Sequence, residues 1–334
     1  MKKLKTLFIL MLAVAAGLWG IRAYNSYRYH VEKQTRFMMD TYVTIYAVGP
    51  KQITSKAIEL ALNRMQEIDV KFNSLNPKSL IYAFNHSGAP ISDPEILELV
   101  QLALKVSKES DGAFDITVAP LLELWGFYGK SLHIPEGKEL KECLSKVGYQ
   151  HLSLSNVKLE KDREDVRIDL GGIAKGYALS QAVKVLKKNG VTSALIDEGG
   201  DVYALGKRGK RLWKVGIKNP RGEGVLGYVE VEDLAVIGSG DYERFFIKDG
   251  KRYHHIFNPR TGYSTGGITG VTLIYHDPIL TQPWTKIPFV MGPKKGLEML
   301  EGIPGMEVII VTDSGEKLYS AGLKNMVKAI SEAK

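Results

Sequence analysis

The order of helix-like and strand-like patterns along the chain constrains its fold more than any other feature of the sequence. Three long segments with apolar residues at helical spacing come first, at residues 55–72, 94–110 and 173–189. Seven strand-like segments follow, at residues 192–196, 213–217, 227–231, 242–247, 252–258, 270–275 and 306–312. No Pro/Gly-rich break divides them. The sequence therefore predicts an α+β fold: a single large domain with long N-terminal helices packed on a mainly antiparallel sheet.

The local signals at the helix ends support this assignment. Asp93 and Pro94 provide a cap and a first-turn proline for the second helix, and Gly190 closes the third. A possible serine cap, Ser55, begins the first helix. Residues 37–48 alternate well enough to predict one strand ahead of it.

The N-terminus has the pattern of an export segment. A short basic stretch precedes an almost unbroken apolar run at residues 6–21, which contains Ala13-Val14-Ala15 as a possible cleavage site. The run is shorter than the roughly 20 residues of a spanning helix, so a cleaved signal and an uncleaved anchor both fit. A buried N-terminal helix is the alternative. We expect residues 1–30 to be the leader, residues 31–334 to be the folded domain, and the protein to be periplasmic or on the outer face of the cytoplasmic membrane.

The charge distribution argues against a nucleic-acid partner. The net charge is +8, but residues 1–30 hold five basic and no acidic residues, which leaves 40 basic and 37 acidic residues in the body. A basic leader, and not a basic binding face, supplies most of the excess. Contact with a membrane is expected only through the N-terminal segment.

The densest candidate site is the sequence DLGGIAKGY at residues 169–177. A strand-like stretch at residues 166–170 meets the pair Gly171-Gly172, which opens the third helix. Such a turn directs backbone N–H groups and the positive end of a helix at one point, where a phosphate can bind. Lys175 adds a cation. Because the motif is neither GxGxxG nor a P-loop, an ordinary turn with a solvated lysine is an equal alternative.

Three further stretches of small residues read as turns, namely DGAFD at 111–115, EGGD at 198–201 and SGDY at 239–242. In the first of them Phe114 offers a stacking face and Asp115 an acceptor. A helix-ending turn is the more common use of such a sequence.

Two of the seven histidines, His254 and His255, are adjacent. Consecutive strand residues face opposite ways, so only one of them can enter a given pocket. The sequence has no HExxH motif, and its single cysteine, Cys143, excludes a Cys-based zinc site. A structural histidine is the alternative unless other motifs converge on it.

Taken in order, seven motifs resemble those of the FAD:protein FMN transferase (ApbE-like) family. They are MDT (39–41), DGAFD (111–115), DLGGIAKGY (169–177), EGGD (198–201), WKVGIKNP (213–220), GSGDY (238–242) and HHIFNPRTG (254–262). The resemblance implies an exported enzyme that transfers FMN from FAD to a Thr or Ser hydroxyl of a target protein and releases AMP. It also implies a magnesium ion on the pyrophosphate. The implied partner is an exported flavoprotein of an electron-transfer system.

The resemblance also implies roles for individual residues. The FAD-site residues are Met39, Ala113, Phe114, Asp115, Asp169, Lys175 and Phe257. His255 matches the histidine that deprotonates the attacking hydroxyl, a role that suits a neutral imidazole. Backbone carbonyls near Gly172 and Ala174 match a metal contact.

One segment departs from the family pattern, in which an Asp and a Thr bind the metal ahead of an F-V-x-G strand end. Counting back from Phe289, the Asp position is Gln282 and the Thr position is Lys286. Gln offers only a neutral oxygen, and an ammonium repels a divalent cation. A shift of one residue would bring in Thr285, and Asp277 would need a rearranged loop.

Three hypotheses follow. In the first, the protein is a working transferase whose metal is held weakly or by other groups. In the second, Lys286 replaces the metal as the phosphate cation, which gives slow or metal-independent chemistry or simple cleavage of FAD to FMN and AMP. In the third, the protein binds FAD without chemistry. An intact His255 favours chemistry, and Gln282 favours the binder.

Overall fold

The computed structural model describes residues 11, 14–17, 19, 30–129, 131–323 and 327–328. The predicted leader therefore lies almost entirely outside the described residues, and its interpretation as a signal or an anchor stays a prediction. Within the described part of the chain, no helix is long and apolar enough to cross a membrane.

An eight-stranded sheet forms the centre of the described residues, in the order β1-β2-β5-β6-β9-β12-β13-β14. All of its neighbouring pairs are antiparallel. Its strands are β1 (Val31–Met38), β2 (Thr41–Val48), β5 (Ala194–Glu198), β6 (Asp201–Leu205), β9 (Leu234–Gly240), β12 (Ile268–Tyr275), β13 (Glu307–Thr312) and β14 (Lys317–Tyr319).

Helices cover one face of this sheet. The long ones are α1 (Lys51–Phe72), α3 (Pro94–Glu109) and α6 (Ala174–Lys188), and the short ones are α2 (Leu80–Ser87), α4 (Ala119–Leu124), α5 (Gly137–Leu144), α7 (Pro278–Trp284), α8 (Ile287–Met291) and α9 (Pro293–Glu301). The apolar stripes of the three long helices join the inner face of the sheet in one large buried core, which includes Ile58 of α1, Leu179 of α6 and Ile45 of β2. Helices α4 and α5 instead pack around Trp125 in a separate apolar cluster. The predicted α+β architecture is confirmed.

The opposite face of the sheet packs on a second, three-stranded sheet in the order β15-β8-β7. Its strands are β7 (Trp213–Lys218), β8 (Val225–Val231) and β15 (Val327–Lys328). Trp213, Val215 and Val229 join Val236 and Ile309 of the large sheet in a separate apolar cluster. Two small hairpins complete the strands, β3 (Leu152–Leu154) with β4 (Leu159–Lys161) and β10 (Phe245–Lys248) with β11 (Lys251–His254).

The three long helices begin and end close to their predicted bounds. The Asp93 side chain caps α3 by accepting hydrogen bonds from the backbone N–H groups of Glu95 and Ile96. The first helix starts four residues earlier than Ser55, after Pro50, and has no side-chain cap bond.

The prediction of one strand at residues 37–48 was wrong. The segment is a hairpin whose turn, Met39-Asp40, has φ values of 51° and 58°. Two left-handed residues form the turn that suits the twist of paired strands, although such turns usually carry Asn or Gly. The Met39 backbone N–H donates to the Asp69 carboxylate of α1 at 3.0 Å, which helps to hold this conformation.

Three other local expectations need correction. Residues 166–170 form no strand, and the Asn85 side chain instead binds both the N–H and the C=O of Ile168 at 2.8 Å. Ser239 and Gly240 belong to β9 and not to a turn. Similarly, Phe289 lies in helix α8 and not at a strand end.

Candidate active site

A cavity of about 430 Å³ opens where the helical layer meets the ends of the central strands. Most of the predicted site residues line it, namely Met39, Ala113, Phe114, Asp115, Asp169, Gly172, Ala174, Lys175, His255, Phe257, Gln282 and Lys286. Thr285 is the exception: it is fully buried and is not among the lining residues. The structure thus brings together residues from positions 39 to 286, while their individual roles stay predictions.

The glycine loop before α6 is fixed by one carboxylate. Asp169 accepts hydrogen bonds from the Gly171 backbone N–H at 2.8 Å, the Ser74 hydroxyl at 2.9 Å and the Tyr128 hydroxyl at 2.7 Å. Burial, and next to it the Asp169 charge, raise the pKa of Tyr128, so the phenol stays a donor. Asp169 therefore sets the path of the loop that leads into the helix.

Helix α6 begins directly against α7. A Cβ on Gly176 would lie 2.2 Å from the carbonyl oxygen of Pro278, so only glycine allows this approach. At that contact the Gln282 side-chain oxygen accepts from the Gly176 backbone N–H at 2.8 Å, and its amide donates to the Gly171 carbonyl at 3.2 Å. Gln282 thus satisfies an N–H of the first turn of α6 from outside the helix.

The DGAFD segment forms a second wall. The buried Phe114 ring packs so closely on the loop that a Cβ on Gly172 would meet it at 2.8 Å. Asp115 accepts from the Thr117 backbone N–H at 2.8 Å, the Thr117 hydroxyl at 2.7 Å and the Tyr149 backbone N–H at 2.8 Å. Burial raises the pKa of Asp115, against these hydrogen bonds. The Asp115 acceptor predicted for FAD is therefore already used within the protein.

The two adjacent histidines have separate places, as the strand geometry predicts. His254 is buried outside the cavity, with Nε2 at 2.9 Å from the Thr265 carbonyl. His255 lines the cavity, and its Nδ1 lies 3.3 Å from the Arg244 carbonyl. An Nδ1–H that donates to this carbonyl leaves the Nε2 lone pair free. Burial, and then the positive charge of Arg244, hold the pKa of His255 well below its usual value, so the imidazole is neutral at pH 7.

Aromatic side chains support this wall from behind. Phe257 packs on Trp125 and Phe127, with ring centroids 5.5 Å and 5.8 Å apart. Trp125 is fully buried, and its Nε1–H donates to the Gly262 carbonyl at 3.0 Å. This apolar cluster gives the Phe257 side of the cavity a rigid backing.

At the opposite side Gln282, Thr285 and Lys286 form what we call the cation corner. The Lys286 ammonium lies 2.9 Å from the Gln282 carbonyl and 3.1 Å from the Thr285 hydroxyl. The Thr285 hydroxyl donates to the same carbonyl at 2.6 Å and pairs with the Ser239 hydroxyl at 2.7 Å. Burial lowers the pKa of Lys286 to about 8, opposed by Asp201, so the ammonium is mostly charged at pH 7.

Acidic groups lie near this corner. Asp201 lines the cavity and accepts from the Gly238 backbone N–H at 3.1 Å. Burial raises the pKa of Asp201, while the charges of Lys175 and Lys286 lower it. Glu198 is fully buried, and neither of its carboxylate oxygens has a hydrogen-bond partner among the described residues. Burial raises the pKa of Glu198 well above its usual value, with Lys175 opposing.

The predicted metal position does not fit a divalent cation. The Gln282 side-chain oxygen already accepts from the Gly176 N–H, and the Lys286 ammonium donates to the Gln282 carbonyl and the Thr285 hydroxyl. Asp277 caps α7 through the N–H groups of Ile279 and Leu280 and is not among the residues that line the cavity. Within the described part of the chain, no three His, Cys, Asp or Glu side chains come together as a potential metal site. Gly172 and Ala174 line the cavity, as do Asp169 and Asp201, but these carboxylates accept hydrogen bonds from protein N–H or O–H groups.

Sequence reasoning missed several residues of the cavity wall. Ser74 and Tyr128 hold Asp169, Arg244 orients His255, and Asp201 faces the cation corner. Asp201 ends the EGGD motif, which was a signal that could have indicated it. No local pattern marks Ser74 or Tyr128, because only the tertiary fold brings them to Asp169.

The fold recurs in solved structures. The crystal structure of an ApbE protein from Thermotoga maritima superposes with a TM-score of 0.84 at 35% sequence identity and covers 90% of this chain and 100% of that chain. The large antiparallel sheet with its helical layer is therefore the fold of the ApbE proteins.

Sequence comparison gives the same result. The profile of the ApbE family matches residues 39–310. The FAD:protein FMN transferase of Klebsiella pneumoniae is 31% identical over 255 residues, 73% of this chain and 78% of the relative. That of Treponema pallidum is 28% identical over 310 residues, 86% of each chain. The chain belongs to the ApbE family.

Proposed function

We propose that this protein is an FAD:protein FMN transferase, which moves FMN from FAD to a Thr or Ser hydroxyl of a target protein and releases AMP. The observation that carries the proposal is the convergence of the matched FAD-site residues on one cavity that also holds a neutral histidine. The names of the relatives support the same activity.

FAD would be held by complementary parts of the cavity. Phe114 and Phe257 supply apolar surface for the flavin, backed by the buried Trp125. Lys175 and the first turn of α6 supply positive potential for the pyrophosphate. Because Asp169 fixes the glycine loop through three hydrogen bonds, this arrangement is formed before the substrate arrives.

His255 would act as the general base. The hydroxyl oxygen of the target forms a bond to the phosphorus of the FMN half of FAD, while the bond from that phosphorus to the bridging oxygen breaks. AMP leaves with the bridging oxygen, and the hydroxyl proton moves to Nε2 of His255. An imidazole that is neutral at pH 7 and held by its Nδ1–H at the Arg244 carbonyl suits this step.

The target and the compartment belong to the same proposal. A basic n-region followed by an apolar run supports export, by a cleaved signal or as an anchored protein. We infer that the target is an exported flavoprotein of an electron-transfer system, flavinylated at a Thr or Ser. Fractionation of cells and the N-terminal sequence of the exported protein test the leader.

A second candidate is an FAD-binding protein that either cleaves FAD with water to FMN and AMP or only holds it. The cation corner favours this candidate, because Gln282 and Lys286 stand where the family carries metal ligands.

One assay separates the candidates. The purified protein is mixed with FAD and a recombinant exported flavoprotein subunit, and both AMP and covalently bound flavin on the subunit are measured. AMP together with flavin-labelled subunit supports the transferase. AMP without labelling supports hydrolysis, and tight FAD binding without AMP supports a binder. The variant Thr→Ala at the labelled position of the subunit controls for the site of attachment.

A further inference from the structure

The cation corner is unusual because it puts a lysine side chain into the wall of a polar cavity and holds it there. Lys286 is the second of the two residues between α7 and α8, and its ammonium turns back onto the end of α7. The Gln282 carbonyl and the Thr285 hydroxyl accept two of its N–H groups at 2.9 Å and 3.1 Å.

The geometry leaves room for a ligand on this ammonium. An ammonium group carries three donors, and among the described residues two acceptors lie within hydrogen-bond distance. Lys286 also lines the cavity, so the remaining donor is available on the cavity side. A charge-assisted hydrogen bond to a phosphate oxygen would complete the set.

The charges that face Lys286 come from three other elements. Asp201 at the start of β6 and Glu243 after β9 are attractive, and Lys175 of α6 is repulsive. Two ammonium groups on one cavity wall repel each other, and a doubly charged anion between them removes that repulsion. The pyrophosphate of a dinucleotide carries two negative charges at neutral pH and matches this pair.

We propose that the Lys286 ammonium is the built-in cation of this site and binds the FAD pyrophosphate together with Lys175, so that FAD binds without a divalent metal. The inference rests on the proposed function for the identity of the dinucleotide. It follows from the contacts above and from the poor fit of Gln282, Thr285 and Lys286 to a hard divalent ion.

The test is an FAD titration followed by flavin fluorescence, in excess EDTA and in excess magnesium. The wild-type protein should give the same FAD Kd in both buffers. Lys286→Met should weaken FAD binding about 10- to 100-fold in both buffers, because a charged hydrogen bond to the phosphate is lost. Lys294→Met, which removes an exposed lysine of α9, is the matched control and should bind FAD like the wild type.

A double variant tests whether the site can be made to depend on a metal ion. Gln282→Asp replaces the amide by a carboxylate, and Lys286→Thr replaces the ammonium by a hydroxyl. In the protein that carries both changes, FAD binding should require magnesium. Circular dichroism melting checks the fold of each variant. If Lys286→Met does not fold, the FAD Kd is compared in EDTA and in magnesium for the wild type and for Lys286→Arg, which keeps the charge. Both proteins should bind FAD equally well in the two buffers.

Two results would overturn the inference. One is a wild-type Kd for FAD that rises in EDTA and recovers with magnesium. The other is a folded Lys286→Met protein that binds FAD as tightly as Lys294→Met. Because binding is measured without turnover, chelator-resistant binding with no AMP release would contradict the transferase and leave this inference standing.

Discussion

The glycine-loop side of the cavity and the cation corner differ in how their charged groups are hydrogen-bonded. On the loop side the two carboxylates, Asp169 and Asp115, each accept three hydrogen bonds from the protein and serve as fixed braces. In the corner the Lys286 ammonium has two acceptors among the described residues, and the Lys286 side chain lines the cavity. The two carboxylates are therefore engaged with protein donors, whereas the Lys286 ammonium keeps a donor for the proposed ligand.

Gln282 and Lys286 have separate tasks in the cation corner. Gln282 keeps the contact between α6 and α7 by binding Gly176 and Gly171, a task that needs an amide and no charge. Lys286 supplies the charge from four residues further along the chain. The residue that supplies the positive charge can therefore change without a change in the contact between α6 and α7.

The largest effect is expected at His255, the histidine that lines the cavity. His255→Asn should lower the rate of AMP release about 10²- to 10⁴-fold, the usual contribution of a general base, and leave FAD binding intact. The rate is measured with saturating FAD and target, and binding by flavin fluorescence. His276→Asn, at an exposed histidine, is the control. Normal AMP release from a folded His255→Asn protein would exclude this residue as the base.

A smaller effect is expected where the frame is tightest. Gly176→Ala puts a Cβ 2.2 Å from the Pro278 carbonyl and must separate α6 from α7, at a cost of about 1–3 kcal/mol in the free energy of unfolding. Urea denaturation measures it. Gly137→Ala in α5, where a Cβ meets nothing within 4 Å, should not destabilise the protein. Equal stability of both variants would contradict the tight contact.

The last effect is expected at the buried Glu198 and depends on pH. Because the pKa of buried Glu198 is raised, the folded protein binds a proton there that the unfolded chain releases above about pH 4.5. The wild type therefore loses stability as pH rises above that value, whereas Glu198→Gln does not. The variant should match the wild type near pH 4 and gain up to about 1.4 kcal/mol per pH unit above it.

Denaturant unfolding at several pH values measures this difference. Glu59→Gln, at an exposed position of α1, is the control and should show no comparable trend. A stability difference for Glu198→Gln that is constant with pH would mean that Glu198 is ionised when folded, with a partner for its charge.

The elements that the sequence predicts well are those with a visible amphipathic period. Helices α1, α3 and α6 bury one stripe each, and Asp93 caps α3 as its position suggests. Strands β6 and β9 were missed, because residues 201–205 are buried on both faces and β9 ends in glycines that read as a turn. The helices after β12 contain prolines, which hide their pattern.

The site shows the same division. The family motifs predicted the residues that line the cavity, from Met39 to Lys286, since each lies in a local sequence pattern. The motifs could not show that Asp115 and Gln282 are engaged with other protein groups, because those contacts join residues 34 and 106 positions apart. Long-range hydrogen bonds of this kind leave no periodic trace in the sequence.

The most direct test of the account is a crystal structure of the protein with FAD and excess Mn²⁺, recorded with anomalous scattering from manganese. The Lys286 ammonium should lie within hydrogen-bond distance of a pyrophosphate oxygen, and the cation corner should show no anomalous peak. A manganese peak between Gln282 and the pyrophosphate, with the lysine displaced from it, would contradict the account.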